Sequence, residues 1–110
     1  MTWILDQSGT TPALTTGTET QFGANATTNA SYVLKVNLAN MALGDAVLLR
    51  IYTQDIPSGA LTLTWSGSFS NIQTCPLVLS LPTPSDISLR ATITQTAGTG
   101  RTFNWEILRV

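Results

Sequence analysis

A strict two-residue alternation of apolar and polar side chains, on both sides of a glycine-containing loop, constrains the fold of this chain most. The apolar set is Ile87, Leu89, Ala91 and Ile93 before the loop, and Phe103, Trp105 and Ile107 after it. Period two is the period of a β-strand, because successive side chains of a strand point to opposite faces. Both flanks are therefore predicted to be strands. Gly98 and Gly100 lie between them and can adopt positive φ at no steric cost, so we predict a hairpin turn there.

The alternative for this loop is a phosphate-binding loop, since its centre reads Gly-Thr-Gly-Arg. Such a loop needs a helix after the glycines, because the helix N-terminus supplies much of the anion binding. The strand period that follows Gly100 disfavours that interpretation.

The rest of the chain has the same character. No stretch has a convincing 3.6-residue apolar period, and β-branched and aromatic residues dominate the apolar runs. Besides the two strands of the hairpin, the pattern predicts short strands in six ranges: 3–5, 18–22, 31–38, 45–53, 60–65 and 76–81. About eight short strands separated by turns rich in Gly, Pro, Ser and Asn indicate an all-β fold, an antiparallel β-sandwich that is jelly-roll-like. One sequence does not determine the strand order.

Alternation also predicts which side chains share a face. In 31–38 one face carries Tyr32, Leu34, Val36 and Leu38, and the other carries Val33, Lys35 and Asn37. In 60–65 the predicted inward set is Leu61, Leu63 and Trp65, and in 76–81 one face carries Leu77, Leu79 and Leu81.

Residues 6–31 differ from the rest, since they are rich in Thr, Ala and Gly and have few large apolar groups after Leu14. Such a segment buries little surface by itself. It is either a flexible loop or an extended arm that takes backbone hydrogen bonds from a neighbouring subunit's sheet edge, and we favour the arm. The single domain is therefore divided into an N-terminal strand, arm and loop over 1–30 and a sandwich core over 31–110.

The composition argues against several classes of function. Only 10% of the residues are charged and the net charge is −1, so no electrostatic field attracts nucleic acid or an anionic membrane. The chain has no histidine and one cysteine, Cys75, and its acidic residues fall mainly at turns. We therefore expect no catalysis, no cofactor and no metal site. The N-terminus does not resemble a secretory signal and no apolar run is long enough to span a membrane, so we expect synthesis in the cytoplasm.

The candidate interface consists of residues from the arm and the arginines of the sheets: Trp3, Leu5, Thr11, Phe22, Arg50, Arg90 and Arg101. For Arg50 and Arg90 the alternatives are solvated cross-strand ion pairs, which contribute little, and contact with an acidic partner. Arg101, at the predicted hairpin tip, is the better interface candidate. The tryptophans are expected in the core or at its rim, although one exposed indole could instead stack on a sugar ring.

Two segments resemble a known class of protein: residues 31–53, SYVLKVNLANMALGDAVLLRIYT, and residues 93–109, ITQTAGTGRTFNWEILR. They are similar to small proteins encoded among the virion genes of tailed bacteriophages, of the capsid decoration (cement) type. The resemblance covers about residues 31–110, and its most specific part is Gln95 to Arg101 followed by Phe103 and Trp105.

The resemblance implies a structural protein that binds the major capsid protein on the outer surface of the virion, stabilises the shell and forms a homo-oligomer, with a trimer favoured. It implies no active site and no nucleic-acid patch. The alternatives are a receptor- or carbohydrate-binding β-sandwich module and a structural component of the tail or baseplate.

Overall fold

The computed structural model describes residues 2–110 and leaves Met1 outside the described residues. Over this range the chain contains strands and no helix. In chain order the strands are β1 (Ile4–Thr10), β2 (Glu19–Gln21), β3 (Ala30–Asn37), β4 (Ala46–Gln54), β5 (Leu61–Ser70), β6 (Leu77–Leu79), β7 (Thr83–Ser85), β8 (Leu89–Ala97) and β9 (Asn104–Arg109).

The strands form two antiparallel sheets, and the predicted all-β sandwich is confirmed. The first sheet has the order β1-β9-β3-β6, and β7 pairs with β3 on the same edge as β6. The second sheet has the order β2-β8-β4-β5. Within these sheets β1 pairs with β9, β2 with β8, β3 with β6 and β7, and β4 with β5, as in one long antiparallel ribbon rolled onto itself.

The core lies between the sheets and is built from the alternating positions of the long strands. Its buried side chains include Tyr32, Leu34 and Val36 on β3, Val47, Leu49 and Ile51 on β4, Leu89, Ala91 and Ile93 on β8, and Trp105 and Ile107 on β9. The predicted inward face of residues 31–38 is confirmed, and so is the period-two pattern around the glycine loop except at Ile87, which precedes β8 and lies outside the core cluster.

The predicted hairpin is wrong. β8 belongs to the second sheet and β9 to the first, so residues 98–103 cross from one sheet to the other instead of joining neighbouring strands. Gly98 has the positive φ we expected, +90°, and its backbone passes close to Asp45. Gly100 does not have positive φ; a side chain there would collide with the carbonyl oxygen of Leu14. Alternation identified both strands, but it does not specify which strands pair.

The predicted projecting arm is replaced by intramolecular structure. β1 pairs with β9 along the edge of the first sheet, and β2 pairs with β8 along the edge of the second. Leu14, Phe22 and Ala26 are buried in the common core. The backbone partners that we expected from a neighbouring subunit are therefore supplied by the chain itself, and the hydrophobic cluster extends across the boundary we placed at residue 30.

Strand β5 departs from the predicted alternation because of a β-bulge. Ile51 pairs with Trp65 but Tyr52 pairs with Leu63, so Thr64 is an extra residue. One extra residue exchanges the two faces of a strand. Trp65 accordingly packs against the core, whereas Leu63 lies on the outer face, 50% exposed. The predicted inward position of Leu63 is wrong for this reason.

Candidate docking surface

The outer faces of the two sheets differ in polarity. On the second sheet the carboxylate of Glu19 accepts hydrogen bonds from Tyr52 and Thr92, both 2.6 Å, and lies 3.5 Å from the Arg50 guanidinium. The hydrogen bond from Thr92, followed by that from Tyr52, lowers the pKa of Glu19 below its ordinary value. These four side chains thus form a polar cluster on this outer face.

The outer face of the first sheet carries apolar side chains in register on neighbouring strands. Leu108 on β9 pairs with Leu5 on β1 and with Val33 on β3. One row further, Lys35 on β3 pairs with Glu106 on β9 and Leu79 on β6. Because paired residues of neighbouring strands lie on the same face, these side chains form one continuous surface.

A groove of about 480 Å³ runs along this surface. Its lining residues are Trp3, Val33, Lys35, Leu77, Leu79, Ser80, Pro82 and Leu108. We call these eight residues, together with Leu5, the apolar outer face. Several of its large apolar side chains are about half exposed: Trp3 43%, Leu5 52%, Leu77 53% and Leu79 60%.

One ion pair lies at the border of the apolar outer face. Lys35 Nζ is 2.9 Å from Glu106 Oε1, and both side chains are about one-third exposed. Beside it a second groove of about 270 Å³ is lined by Lys35, Asn37, Leu77, Asn104, Trp105 and Glu106. The face therefore combines an apolar centre with a polar border, which is the usual anatomy of a protein-binding surface.

Hydrogen bonds of Ser80, which directly follows β6, keep the leucines of β6 on this surface. The Ser80 hydroxyl accepts a hydrogen bond from the Leu34 backbone N–H, and the Ser80 N–H donates to the Leu34 carbonyl. Ser80 is thereby anchored inward. Leu79, one residue earlier, points outward because adjacent residues of a strand face opposite ways.

Two of the predicted interface residues lie on this face. Trp3 lines the groove, and Leu5 shares a row with Leu108. We expected Trp3 in the core or at its rim. Instead, Trp3 lies on the outer face and is 43% exposed.

Thr11 and Phe22 are buried, so their predicted interface role is wrong for the folded chain. Thr11 donates its N–H to the Phe103 carbonyl at 2.9 Å, and its hydroxyl accepts from the Phe103 N–H at 3.0 Å. The Phe22 ring packs against Trp105 with ring centroids 5.4 Å apart. Both residues attach the N-terminal segment to the end of the chain.

The three arginines contact groups of their own chain. Arg50 lies beside Glu19, and Arg90 donates to the Asn25 side-chain oxygen at 3.4 Å. Arg101 donates to Asp45 at 2.8 Å, and the Asp45 side chain is only 2% exposed. The Ala42 N–H, followed by Arg101, holds the pKa of Asp45 below its ordinary value. Arg101 thus closes the loop between β8 and β9 onto a buried carboxylate.

Sequence reasoning missed most of the apolar outer face. The sequence pattern does not place Val33, Pro82 or Leu108 in an interface, and for Leu77 and Leu79 it predicts only that they share a face. A signal was present, because Val33 and Leu108 are apolar at positions where the alternation calls for polar side chains.

In residues 2–110 no group of three or more Cys, Asp or Glu side chains is placed to hold a metal ion. Within the same residues, no helix is of a length and hydropathy to cross a membrane. Comparison with protein-family models, with curated proteins and with solved structures gave no match.

Proposed function

We propose that this chain is a structural binding protein that docks onto a larger protein assembly through the apolar outer face of the first sheet. The observation that carries the proposal is the exposed apolar side chains around one groove, on a sheet whose opposite face already packs the core. Contiguous exposed apolar surface on a small domain is typical of an interaction site.

In the form that the resemblance implies, the assembly is the head of a tailed bacteriophage and the partner is its major capsid protein. The chain is then made in the host cytoplasm and sits on the outer surface of the virion as a decoration protein. Burial of one leucine side chain contributes about 1.5–3 kcal/mol, so two or three at one contact give useful affinity. Repetition over a symmetric shell adds avidity, and binding to the assembled shell alone stabilises it by mass action.

A carbohydrate is the second candidate ligand, supported by the exposed Trp3 indole at the groove. Sugar recognition also needs several polar groups that fix the hydroxyls. Of the eight residues that line the groove, only Lys35 and Ser80 have polar side chains, and Ser80 is bonded to the Leu34 backbone. The groove therefore fits an apolar protein surface better than a sugar.

The test is binding to virus particles by the purified protein and its surface variants. We expect the wild-type protein to co-sediment with heads at a fixed stoichiometry and to delay heat-induced rupture of the shell. Leu79→Asp should weaken binding at least about tenfold, because it places a charge where an apolar side chain is buried. Leu63→Asp is the matched control, since Leu63 is similarly exposed but lies on the second sheet.

Normal binding by a folded Leu79→Asp protein would overturn the assignment of this face. Saturable binding on a glycan array that is lost in Trp3→Ala would favour the carbohydrate alternative. Recovery with purified tails and not with heads would favour a tail or baseplate component.

A further inference from the structure

Strand β5 is a sheet edge unlike the other edges of the fold. It pairs with β4 along its whole length, and on its other side no strand of residues 2–110 pairs with it. Its ten residues, LTLTWSGSFS, contain no charge and no proline. An edge strand with these properties presents a row of unpaired N–H and C=O groups, and its one protective feature, the bulge at Thr64, leaves 65–70 in regular pairing with β4.

The other edges are protected in the usual ways. β2 is three residues long and carries Glu19. β6 and β7 are also three residues each, and Pro84 lies within β7. β1 is longer but has a bulge at Asp6. The exposed edge of β5 is therefore a specific feature and not a general property of this fold.

The stretch of β5 that is regular and free of side-chain hydrogen bonds to its backbone is 65–69. Before it the Thr64 hydroxyl donates to the Thr62 carbonyl, and after it the Gln73 side chain donates to the Ser70 carbonyl. From 65 to 69 no side chain of the described residues makes a hydrogen bond of this kind to the backbone. A partner strand is therefore expected to pair along 65–69, beyond the bulge at Thr64.

We propose that the partner is a second copy of this chain, with the two β5 strands pairing antiparallel about a two-fold axis at Gly67. Two-fold pairing requires a strand whose halves complement each other. In this register Trp65 faces the partner's Phe69 on one side of the sheet, and Ser66 faces the partner's Ser68 on the other. Aromatic pairs and pairs of hydroxyl residues are both favourable across antiparallel strands.

Gly67 suits the centre of such a contact. A Cβ at this position would lie 3.0 Å from the Trp65 ring and 3.2 Å from the Phe69 ring, so both rings lie close to the glycine. Both side chains are partly buried against the core, and the two residues lie on either side of the proposed axis in the sequence of β5. A second copy would cover their exposed parts and join the two second sheets into one sheet of eight strands.

This contact is independent of the proposed docking surface, because β5 belongs to the second sheet and the apolar outer face belongs to the first. A dimer would carry two docking faces, which increases avidity for a repetitive target. The two-fold contact also predicts a dimer instead of the trimer implied by the resemblance. The molar mass of the purified protein in solution distinguishes these two oligomeric states.

Charged substitutions at residues that face each other across the proposed contact test the inference. Ser66→Lys with Ser68→Lys places like charges opposite each other, as does Ser66→Glu with Ser68→Glu. Light scattering with size exclusion should show a wild-type dimer and, for each double variant, a dissociation constant raised at least about tenfold. A mixture of the two variants should restore dimers. Thr27→Lys with Asn29→Lys is the control, because it adds the same charge on an exposed loop and should leave the dimer unchanged.

Cysteine pairing provides a second measurement that does not depend on weakening the dimer. In a Cys75→Ser background, Ser66→Cys mixed with Ser68→Cys should form a disulfide-linked dimer with oxidised glutathione, and each variant alone should not. A monomeric wild-type protein at millimolar concentration overturns the proposal. So does a dimer or trimer that neither the charge variants nor the cysteine mixture affects, even if heads still bind.

Discussion

Replacement of Phe22 by alanine tests whether the N-terminal segment is part of the core. Phe22 is 1% exposed and its ring lies against Trp105. Truncation of a buried phenylalanine costs about 3–5 kcal/mol, through lost apolar burial and the cavity that remains. A domain of this size has a free energy of unfolding of about 5–15 kcal/mol, so we expect a folded but much less stable protein.

Thermal unfolding followed by circular dichroism, at one fixed protein concentration, measures the loss. At about 4 °C or more per kcal/mol, Phe22→Ala should lower the midpoint by at least about 12 °C. Phe22→Leu retains most of the apolar volume and should cost about 1–2 kcal/mol, which keeps the test valid if the alanine variant does not fold. Leu43→Ala is the control, because Leu43 is 82% exposed and its loss should change stability by less than about 0.5 kcal/mol. If Phe22→Ala shifted the midpoint no more than Leu43→Ala, residues 11–26 would not belong to the core.

Two further predictions concern the loop between β8 and β9. Gly98→Ala should lower the urea midpoint more than Gly17→Ala does. Both glycines have positive φ, but only at Gly98 would the new Cβ meet Asp45. Equal losses in the two variants would contradict the close approach of Gly98 to Asp45. The pKa of Asp45 is lowered in the folded state, so its stabilising effect is complete above its ordinary value of 3.8 and is lost as the pH falls through the lower folded value. The difference in urea midpoint between wild type and Asp45→Asn should therefore be constant from pH 7 to about pH 5 and shrink below pH 4. A difference independent of pH would refute the stabilising role of the Asp45–Arg101 pair.

The sequence predicts the strands well because burial on one face imposes a period of two on each strand separately. The inward positions of β3, such as Leu34 and Val36, follow directly from that period. Pairing between strands leaves no comparable local signal. The residues around Gly98 have the pattern of a hairpin, although their two strands lie in different sheets.

Two other differences have equally definite causes. The bulge at Thr64 adds one residue, which local alternation does not reveal, and it moves Leu63 to the outer face. The threonine-rich segment contains few large apolar residues, but Leu14, Phe22 and Ala26 are buried in the core and β2 pairs with β8. Low average hydrophobicity predicts an arm here, whereas a few buried side chains and strand pairing hold the segment against the domain.

The candidate site could be predicted only in part, because its residues are apolar on a face that alternation assigns to solvent. Most of the basic residues form ion pairs within the chain. Lys35, Arg50, Arg101 and Arg109 each form an ion pair with a carboxylate of the same chain. Pairing leaves little free charge for long-range attraction of a partner, so the two proposed contacts would rest on apolar burial and on backbone hydrogen bonds. The apolar outer face of the first sheet and the exposed edge of β5 lie on different sheets, so binding of an assembly through the first would leave the second free to pair with another copy of the chain.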